Sequence, residues 1–113
     1  MALIVQKYGG SSVGTIDRIR NVARRLIEVK KEGNKIMAVI SAMSGVTDKL
    51  IGLAHEVMDN PPERELDMLL ATGEQISVAL CAMALEGMGL RCVSLAAWQV
   101  GIQSSNVHSD ARI

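Results

Sequence analysis

A short glycine-rich loop between an apolar strand and an amphipathic helix is the feature that most constrains the fold. The loop KYGGSSVG, residues 7–14, follows the apolar run at residues 3–5 and precedes a helical pattern that begins at Thr15. Glycines let backbone N–H groups approach a phosphate, and the N-terminus of the following helix adds a favourable dipole. This order predicts the start of an α/β fold and makes the loop a candidate phosphate site.

Two familiar phosphate-binding loops do not fit the sequence. A P-loop requires Lys and then Ser or Thr after its second glycine, but Thr15 and Ile16 follow Gly14. A dinucleotide-binding fingerprint requires G-x-G-x-x-G and an acid near the end of the second strand. Here the glycines stand at positions 9, 10 and 14, and the second predicted strand ends at Ser41. Both alternatives are therefore excluded.

The lysine before the glycines offers a different chemistry. Lys7 is predicted at the C-terminal end of the first strand, where ligands of open α/β sheets bind. A point charge there can reach a transferring phosphoryl group while loop amides hold its oxygens. The alternative is an ordinary tight turn whose lysine extends into solvent, and the loop alone favours this alternative.

The remaining pattern alternates between strands and helices. Apolar runs predict strands at residues 3–5, 36–40 and 92–95, the first two buried on both faces. Helices are predicted from Thr15 to a Gly33 cap, over residues 49–58, and from residue 63 or 65 to 86, closed by Gly87. The longest helix should bury one side, made of Leu66, Leu69, Leu70, Ile76, Leu80 and Met83. This is an α/β order with a mostly parallel sheet, and three strands are so few that we expect a fragment of a larger domain.

The composition limits the classes of binding partner and the cellular compartment that we expect. Twelve basic and twelve acidic residues cancel, so no footprint for nucleic acid or an anionic membrane is visible. No apolar run approaches the length that spans a bilayer. Cys81 and Cys92 match no metal spacing, and we expect reduced thiols in a cytoplasmic protein.

Four blocks of the sequence resemble one family in order. They are KYGGSSVG, VISAMSGVTDKL, ELDMLLATGEQIS and WQVGIQSSNVHSDARI. Together they are similar to the aspartate kinases of the amino acid kinase family, and the match covers essentially all 113 residues. Tyr8 and Ser11 replace the usual Phe and Thr, which are mild changes that leave Lys7 and the glycines intact.

The resemblance implies a fold and an activity. The fold is a three-layer αβα sandwich with a mostly parallel sheet, present here only in part. Residues 1–113 would be its N-terminal, amino-acid-binding part, without the rest of the catalytic domain or the regulatory ACT domains. The family uses ATP, accompanied by Mg²⁺, to phosphorylate the side-chain carboxylate of L-aspartate, which opens lysine, threonine and methionine synthesis. The complete protein would be a homo-oligomer, and the isolated chain would be inactive.

The resemblance also assigns residues around the phosphates of ATP. Lys7 would neutralise charge on the phosphoryl group in flight, and it is the predicted catalytic residue. Tyr8, Gly9 and Gly10 would line the nucleotide phosphates, with Gly9 and Gly10 supplying amides. Ser41, after the second strand, would contact phosphate or substrate carboxylate, although a turn hydroxyl would explain it equally well.

Two further residues are implied in binding aspartate. Thr47 lies in the GVTD segment, where sequence alone favours a helix cap or turn residue. Glu74 lies mid-helix on the flank of the apolar face, where its carboxylate would need a partner such as a substrate ammonium. An exposed Glu along the helix surface is the alternative. The hypothesis places Lys7 and Glu74 across one cleft, whereas His108 and Arg112 receive no role.

Two rival functions remain open at this stage. The protein could be another enzyme of the same fold, such as a glutamate, acetylglutamate or nucleotide monophosphate kinase, although SAMSGVTD and TGEQIS argue against these. It could also be a non-catalytic sensing or assembly module that kept the fold. A nicotinamide-dependent oxidoreductase is disfavoured by the missing acid.

Overall fold

The computed structural model of the chain describes residues 2–95. Two strands and three helices follow one another in an α/β order, with one turn of 3₁₀ helix at Gly10–Val13. The strands and helices are β1 (Leu3–Tyr8), α1 (Ile16–Lys31), β2 (Lys35–Ile40), α2 (Val46–Val57) and α3 (Glu63–Gly87). Each of the predicted helices is present.

The two strands form a parallel sheet in which Leu3 lies opposite Lys35 and Tyr8 opposite Ile40. This confirms the predicted α/β class with a parallel sheet. Because parallel strands end at the same edge, the segments after Tyr8 and Ile40 emerge side by side. That edge is where the glycine-rich loop lies.

The hydrophobic core lies on one face of the sheet. Tyr8 and Ile40 point into it and meet buried side chains of α1 and α3, among them Ile19, Leu26 and Cys81. Neighbouring strand residues point to the opposite face. There Leu3 is 65% exposed and Val5 is 60% exposed. The prediction that the strands are buried on both faces is therefore wrong for residues 2–95, because the described helices that contact the sheet cover one face.

Helix α1 begins and ends with side-chain or glycine caps. The Thr15 Oγ1 accepts a hydrogen bond of 3.2 Å from the Arg18 backbone N–H. At the other end Gly33 has a φ of 90°, and its N–H donates to the Lys30 carbonyl over 3.0 Å. The Asn34 side-chain amide then satisfies the Val29 carbonyl at 3.1 Å. The predicted Gly33 cap is confirmed.

The left-handed glycine that caps α3 lies two residues later than the predicted closing glycine. Gly87 is still helical, and Gly89 adopts the left-handed conformation with a φ of 94°. The Gly89 N–H donates to the Glu86 carbonyl, and the Leu90 N–H donates to the Leu85 carbonyl, each over 3.0 Å. These two bonds form a Schellman motif, so Gly89 is the residue that ends the helix.

The buried face of α3 differs from the predicted one. The helix buries Gly73, Ser77, Cys81 and Leu85, which recur every fourth residue. Ile76 and Met83, expected in the core, are 52% and 67% exposed. The physical reason is distance, because small side chains at the contact let α3 approach its neighbours more closely than leucines would.

The predicted third strand is absent from the described residues. Residues 91–95 have no regular secondary structure. A cavity of about 330 Å³ is lined by this segment on one side and by β2 residues Ile36, Ala38 and Ile40 on the other. Since a strand requires a hydrogen-bonded neighbour, an extended apolar run that does not pair with β2 is not a strand.

Helix α3 also corrects the expectation that no segment could span a bilayer. Its 25 residues contain a window with a mean hydropathy of 1.6, of which 22% is buried. By length and composition alone this helix could cross a membrane. Core helices of soluble proteins meet the same criterion, and α3 contacts both α1 and α2.

Candidate functional site

The loops that follow the two strands are joined to each other by backbone hydrogen bonds. The Ser41 N–H donates to the Tyr8 carbonyl over 3.1 Å, which continues the pairing of β2 with β1. The Ser44 N–H donates to the Gly10 carbonyl, also over 3.1 Å. The glycine-rich loop and the SAMSG loop therefore form one surface at the carboxyl edge of the sheet.

The two adjacent glycines of the first loop have different surroundings. A Cβ atom on Gly10 would lie 3.0 Å from the Ala42 carbonyl oxygen, which is backbone. A Cβ atom on Gly9 would meet nothing within 4 Å. Gly10 is thus required by the contact between the loops. Gly9 is the glycine beside open space, where a ligand could approach the backbone.

This difference predicts opposite effects of the same substitution on stability. Gly10→Ala should lower the free energy of unfolding by about 1–3 kcal/mol, because the new methyl group overpacks a backbone oxygen. Gly9→Ala should leave it unchanged or raise it by about 0.4–1 kcal/mol, because Ala accepts this backbone conformation and restricts the unfolded chain. The Gly9 φ of −79° and ψ of 173° are allowed for any residue. Thermal or urea unfolding of both variants would measure this, and equal losses would contradict it.

Helix α3 packs against the same surface at Gly73. A Cβ atom on Gly73 would lie 3.1 Å from the Ala42 Cβ and 3.1 Å from the Val46 Cγ1. The absence of a side chain therefore lets α3 pack against the SAMSG loop and the start of α2. Three of the four sequence blocks meet at this point.

Glu74 follows that glycine and lies on the buried side of α3 by helical position. It is only about 20° around the helix axis from Cys81 and roughly 60° from Ser77, given 3.6 residues per turn. Cys81 and Ser77 are buried, whereas Glu74 is exposed. Glu74 is therefore an exposed residue beside the buried stripe of α3, next in sequence to the glycine that contacts the SAMSG loop.

Lys7 lies at the same edge but on the other face of the sheet. It is the second-last residue of β1, and it is exposed beside Leu3 and Val5 rather than among the helices. Within residues 2–95 it forms no ion pair with Glu74. The structure does not bring the two side chains together, so their placement across one cleft stays a prediction.

Tyr8 follows Lys7 at the end of β1, but its side chain belongs to the core. The ring is 9% exposed, and the hydroxyl donates to the Gln6 Oε1 over 2.7 Å. Burial raises the pKa of the phenol. A contact between Tyr8 and a nucleotide could therefore come only from its main chain.

Thr47 is neither the cap of α2 nor a turn residue. The cap is Gly45, with a φ of 85°, and α2 begins at Val46, three residues earlier than predicted. A left-handed glycine explains the earlier start, because it lets the chain enter the helix directly from the loop. Thr47 lies exposed in the first turn, and Ser41 is half-buried at the end of β2.

Arg18 is a residue of this region that sequence reasoning missed. Its Nη1 donates a 2.6 Å hydrogen bond to the Ser11 carbonyl and so ties α1 to the glycine-rich loop. In the sequence it reads as one of several charged residues on a solvated helix face. Its position three residues after the Thr15 cap is the only local signal.

The remaining candidates for a functional role are possible metal ligands, the two cysteines, His108 and Arg112. Within residues 2–95 no three His, Cys, Asp or Glu side chains are grouped to hold a metal ion. Cys81 and Cys92 are free thiols, and burial raises the pKa of each. His108 and Arg112 lie outside the described residues.

Comparisons with known proteins show which family the sequence is similar to. The sequence model of the amino acid kinase family matches residues 2–113. The aspartokinase of Geobacillus stearothermophilus is 51% identical over 113 residues, which are 100% of this chain and 28% of that protein. Aspartokinase 2 of Bacillus subtilis (strain 168) is 49% identical over the same 100% of this chain and 28% of its own length.

A solved structure gives the same result. The crystal structure of the aspartate kinase from Synechocystis is similar with a TM-score of 0.80 and 49% sequence identity, over 82% of this chain and 16% of that one. These comparisons confirm the resemblance carried by the four sequence blocks. The chain spans about 28% of the length of the curated relatives it matches.

Proposed function

Because this chain belongs to the amino acid kinase family, we propose that the complete protein carrying it is an aspartate kinase. It transfers the γ-phosphoryl group of ATP to the side-chain carboxylate of L-aspartate and forms 4-phospho-L-aspartate and ADP. Residues 1–113 are its N-terminal, amino-acid-binding part. The rest of the catalytic domain and the regulatory ACT domains would lie elsewhere in the complete protein.

The observation that carries this proposal is the meeting of three separate sequence blocks at the carboxyl edge of the sheet. The Ser44–Gly10 hydrogen bond joins the first two blocks, and Gly73 packs the third against Ala42. Ligands of open α/β sheets bind at this edge. A carboxylate is already a competent nucleophile, so the reaction asks the protein mainly for alignment and charge neutralisation.

We assign binding of the ATP phosphates to the glycine-rich loop and Lys7. Gly9 borders open space where phosphate oxygens can approach the backbone, and Ser41 stands next to it at the end of β2. Lys7 supplies positive charge on the open face of the sheet. Mg²⁺ would arrive bound to the phosphates of ATP, which is its usual route into such sites.

We assign binding of the aspartate substrate to Thr47 and Glu74. Both are exposed. Thr47 lies in the first turn of α2, and Glu74 follows Gly73, which packs against Ala42 and Val46 from the middle of α3. The Glu74 carboxylate would pair with the ammonium group of aspartate, and the Thr47 hydroxyl would donate to one of its carboxylates. Such a pair strengthens when the bound substrate excludes water.

The proposed activity has a biosynthetic setting. Phosphorylated aspartate is the entry to lysine, threonine and methionine and, in many bacteria, to cell-wall diaminopimelate. We propose a cytoplasmic homo-oligomer that needs neither a membrane nor nucleic acid. Free thiols at Cys81 and Cys92 are compatible with that reducing compartment.

The direct test is ADP release by the complete protein with a panel of acceptors. We expect turnover with L-aspartate and none above background with glutamate, N-acetylglutamate or a nucleoside monophosphate. Turnover with one of the other acceptors instead would identify a different kinase of the fold. No turnover with any acceptor would favour a non-catalytic module. The isolated 113-residue chain should be inactive in the same assay.

A further inference from the structure

A small cavity lies between α1 and the second half of the glycine-rich loop. Its volume is about 140 Å³, and it is lined by Ser12, Arg18, Asn21, Val22 and Arg25. Helix α1 packs on the face of the sheet that carries Tyr8 and Ile40. Lys7 points to the opposite face. The cavity and the Lys7 side chain are therefore on different sides of the sheet.

The two arginines of this cavity carry charge that no carboxylate neutralises. Among residues 2–95, neither Arg18 nor Arg25 forms an ion pair, whereas Arg20 on the same helix pairs with Asp17 at 3.2 Å. Arg18 is held in place by its 2.6 Å bond to the Ser11 carbonyl. It keeps further N–H groups, since a guanidinium has five.

The remaining polar groups of the cavity can donate as well. The Asn21 Oδ1 accepts a 2.6 Å hydrogen bond from Arg24, so its amide N–H₂ is the group left for a ligand. The Ser12 hydroxyl can donate or accept. Four polar side chains therefore offer hydrogen-bond donors around one small space, and no acid lines it. Such a set selects an anion.

The spacing of the arginines suits a group with several oxygens. Arg18 and Arg25 are separated by seven residues, which is two helical turns or roughly 10 Å along the axis. Their long side chains can converge on one anion between them, and Arg forks match phosphate oxygens bidentately. A cavity of about 140 Å³ has room for a phosphate but not for a whole nucleotide.

We propose that Arg18, Arg25, Asn21 and Ser12 bind the phosphoryl group of a small molecule, at a site between α1 and the second half of the glycine-rich loop that does not include Lys7 or Gly9. The ligand is inorganic phosphate or a phosphate monoester whose remainder extends into solvent. A nucleic acid is the less suitable partner, because the chain has a net charge of zero and two aromatic residues in all, one Tyr and one Trp.

The test uses isothermal titration calorimetry on the complete protein carrying Lys7→Ala, which weakens phosphate binding at the proposed catalytic site. Inorganic phosphate and methyl phosphate are titrated separately at constant ionic strength. We expect one site per protomer, and we expect Arg25→Gln to weaken it at least about tenfold, as loss of a charged bidentate contact should. Ser12→Ala, an uncharged second variant, should weaken it by a smaller factor.

The control is Arg20→Gln, on the same helix but outside the cavity, which should bind phosphate as before. Unfolding temperatures without phosphate show that each variant is folded. Tighter binding of methyl phosphate than of phosphate would indicate that the source is a phosphorylated metabolite, and the reverse would indicate the free ion. Phosphate binding that is abolished by Lys7→Ala alone, or is unchanged by both Arg25→Gln and Ser12→Ala, would refute the site.

Discussion

Replacing Lys7 by Ala in the complete protein should lower kcat by about 10²–10³-fold, the loss typical of removing one preorganised electrostatic group from a reacting centre. The reason is that negative charge on the transferring phosphoryl group needs a cation at the end of β1. Lys7 is exposed and forms no ion pair within residues 2–95, so its removal should not affect folding. Steady-state ADP release at saturating ATP and aspartate measures the effect.

Lys35 provides the matched control for this prediction. It lies on the same sheet, also exposed, but at the opposite end, where it pairs with Leu3 in the register. Lys35→Ala should therefore keep full activity. Lys7→Arg should recover only part of it, because a planar fork does not place charge as an ammonium does. A Lys7→Ala enzyme within threefold of the unaltered one would show that Lys7 has no part in phosphoryl transfer.

The order of the fold was readable from the sequence because it rests on local signals. The apolar runs and glycines predicted β1, β2 and the parallel arrangement, and the Gly33 cap was predicted to the residue. Burial on both faces was wrongly predicted for the strands. Hydrophobicity says that a side chain favours burial, but only the other elements of the fold decide what covers it.

The contact face of α3 could not be read in the same way. The spacing of large apolar residues in the sequence predicted a buried face with Ile76 and Met83 and not one with Gly73 and Ser77. The packed face instead consists of small residues. A Cβ atom on Gly73 would lie only 3.1 Å from each of two neighbouring side chains, so the contact depends on the missing side chain. Close helix packing selects for the absence of side chains, which a search for hydrophobicity passes over.

The candidate site was predicted as a set of residues but not as a geometry. Lys7, Gly9, Gly10 and Ser41 lie where the two strands end, whereas Glu74 lies in the middle of α3 beside Gly73. Sequence alone could not assign Gly10 to packing and Gly9 to open space, since both are the same residue in the same loop. Arg18 was missed because its hydrogen-bond partner is the backbone carbonyl of Ser11. Every residue has such a group, so it leaves no signal in the sequence.

Replacing Glu74 by Gln should raise the KM for aspartate by roughly 10- to 100-fold, in keeping with the cost of breaking a charge pair that a bound substrate shields from water. The KM for ATP should change little, because the phosphates belong to the glycine-rich loop. Gln keeps the size of the side chain, and the exposed position makes a folding defect unexpected. Initial rates over a range of aspartate concentrations at saturating ATP measure the effect.

Glu65 tests whether the effect belongs to the site or to the charge of α3. It is exposed on the same helix, nine residues closer to the N-terminus, and within residues 2–95 it pairs with Arg64 at 3.0 Å. Exposed pairs of this kind contribute little, so Glu65→Gln should leave both KM values unchanged. If Glu74→Gln did the same, Glu74 would not contact the substrate, and the aspartate ammonium would need another carboxylate.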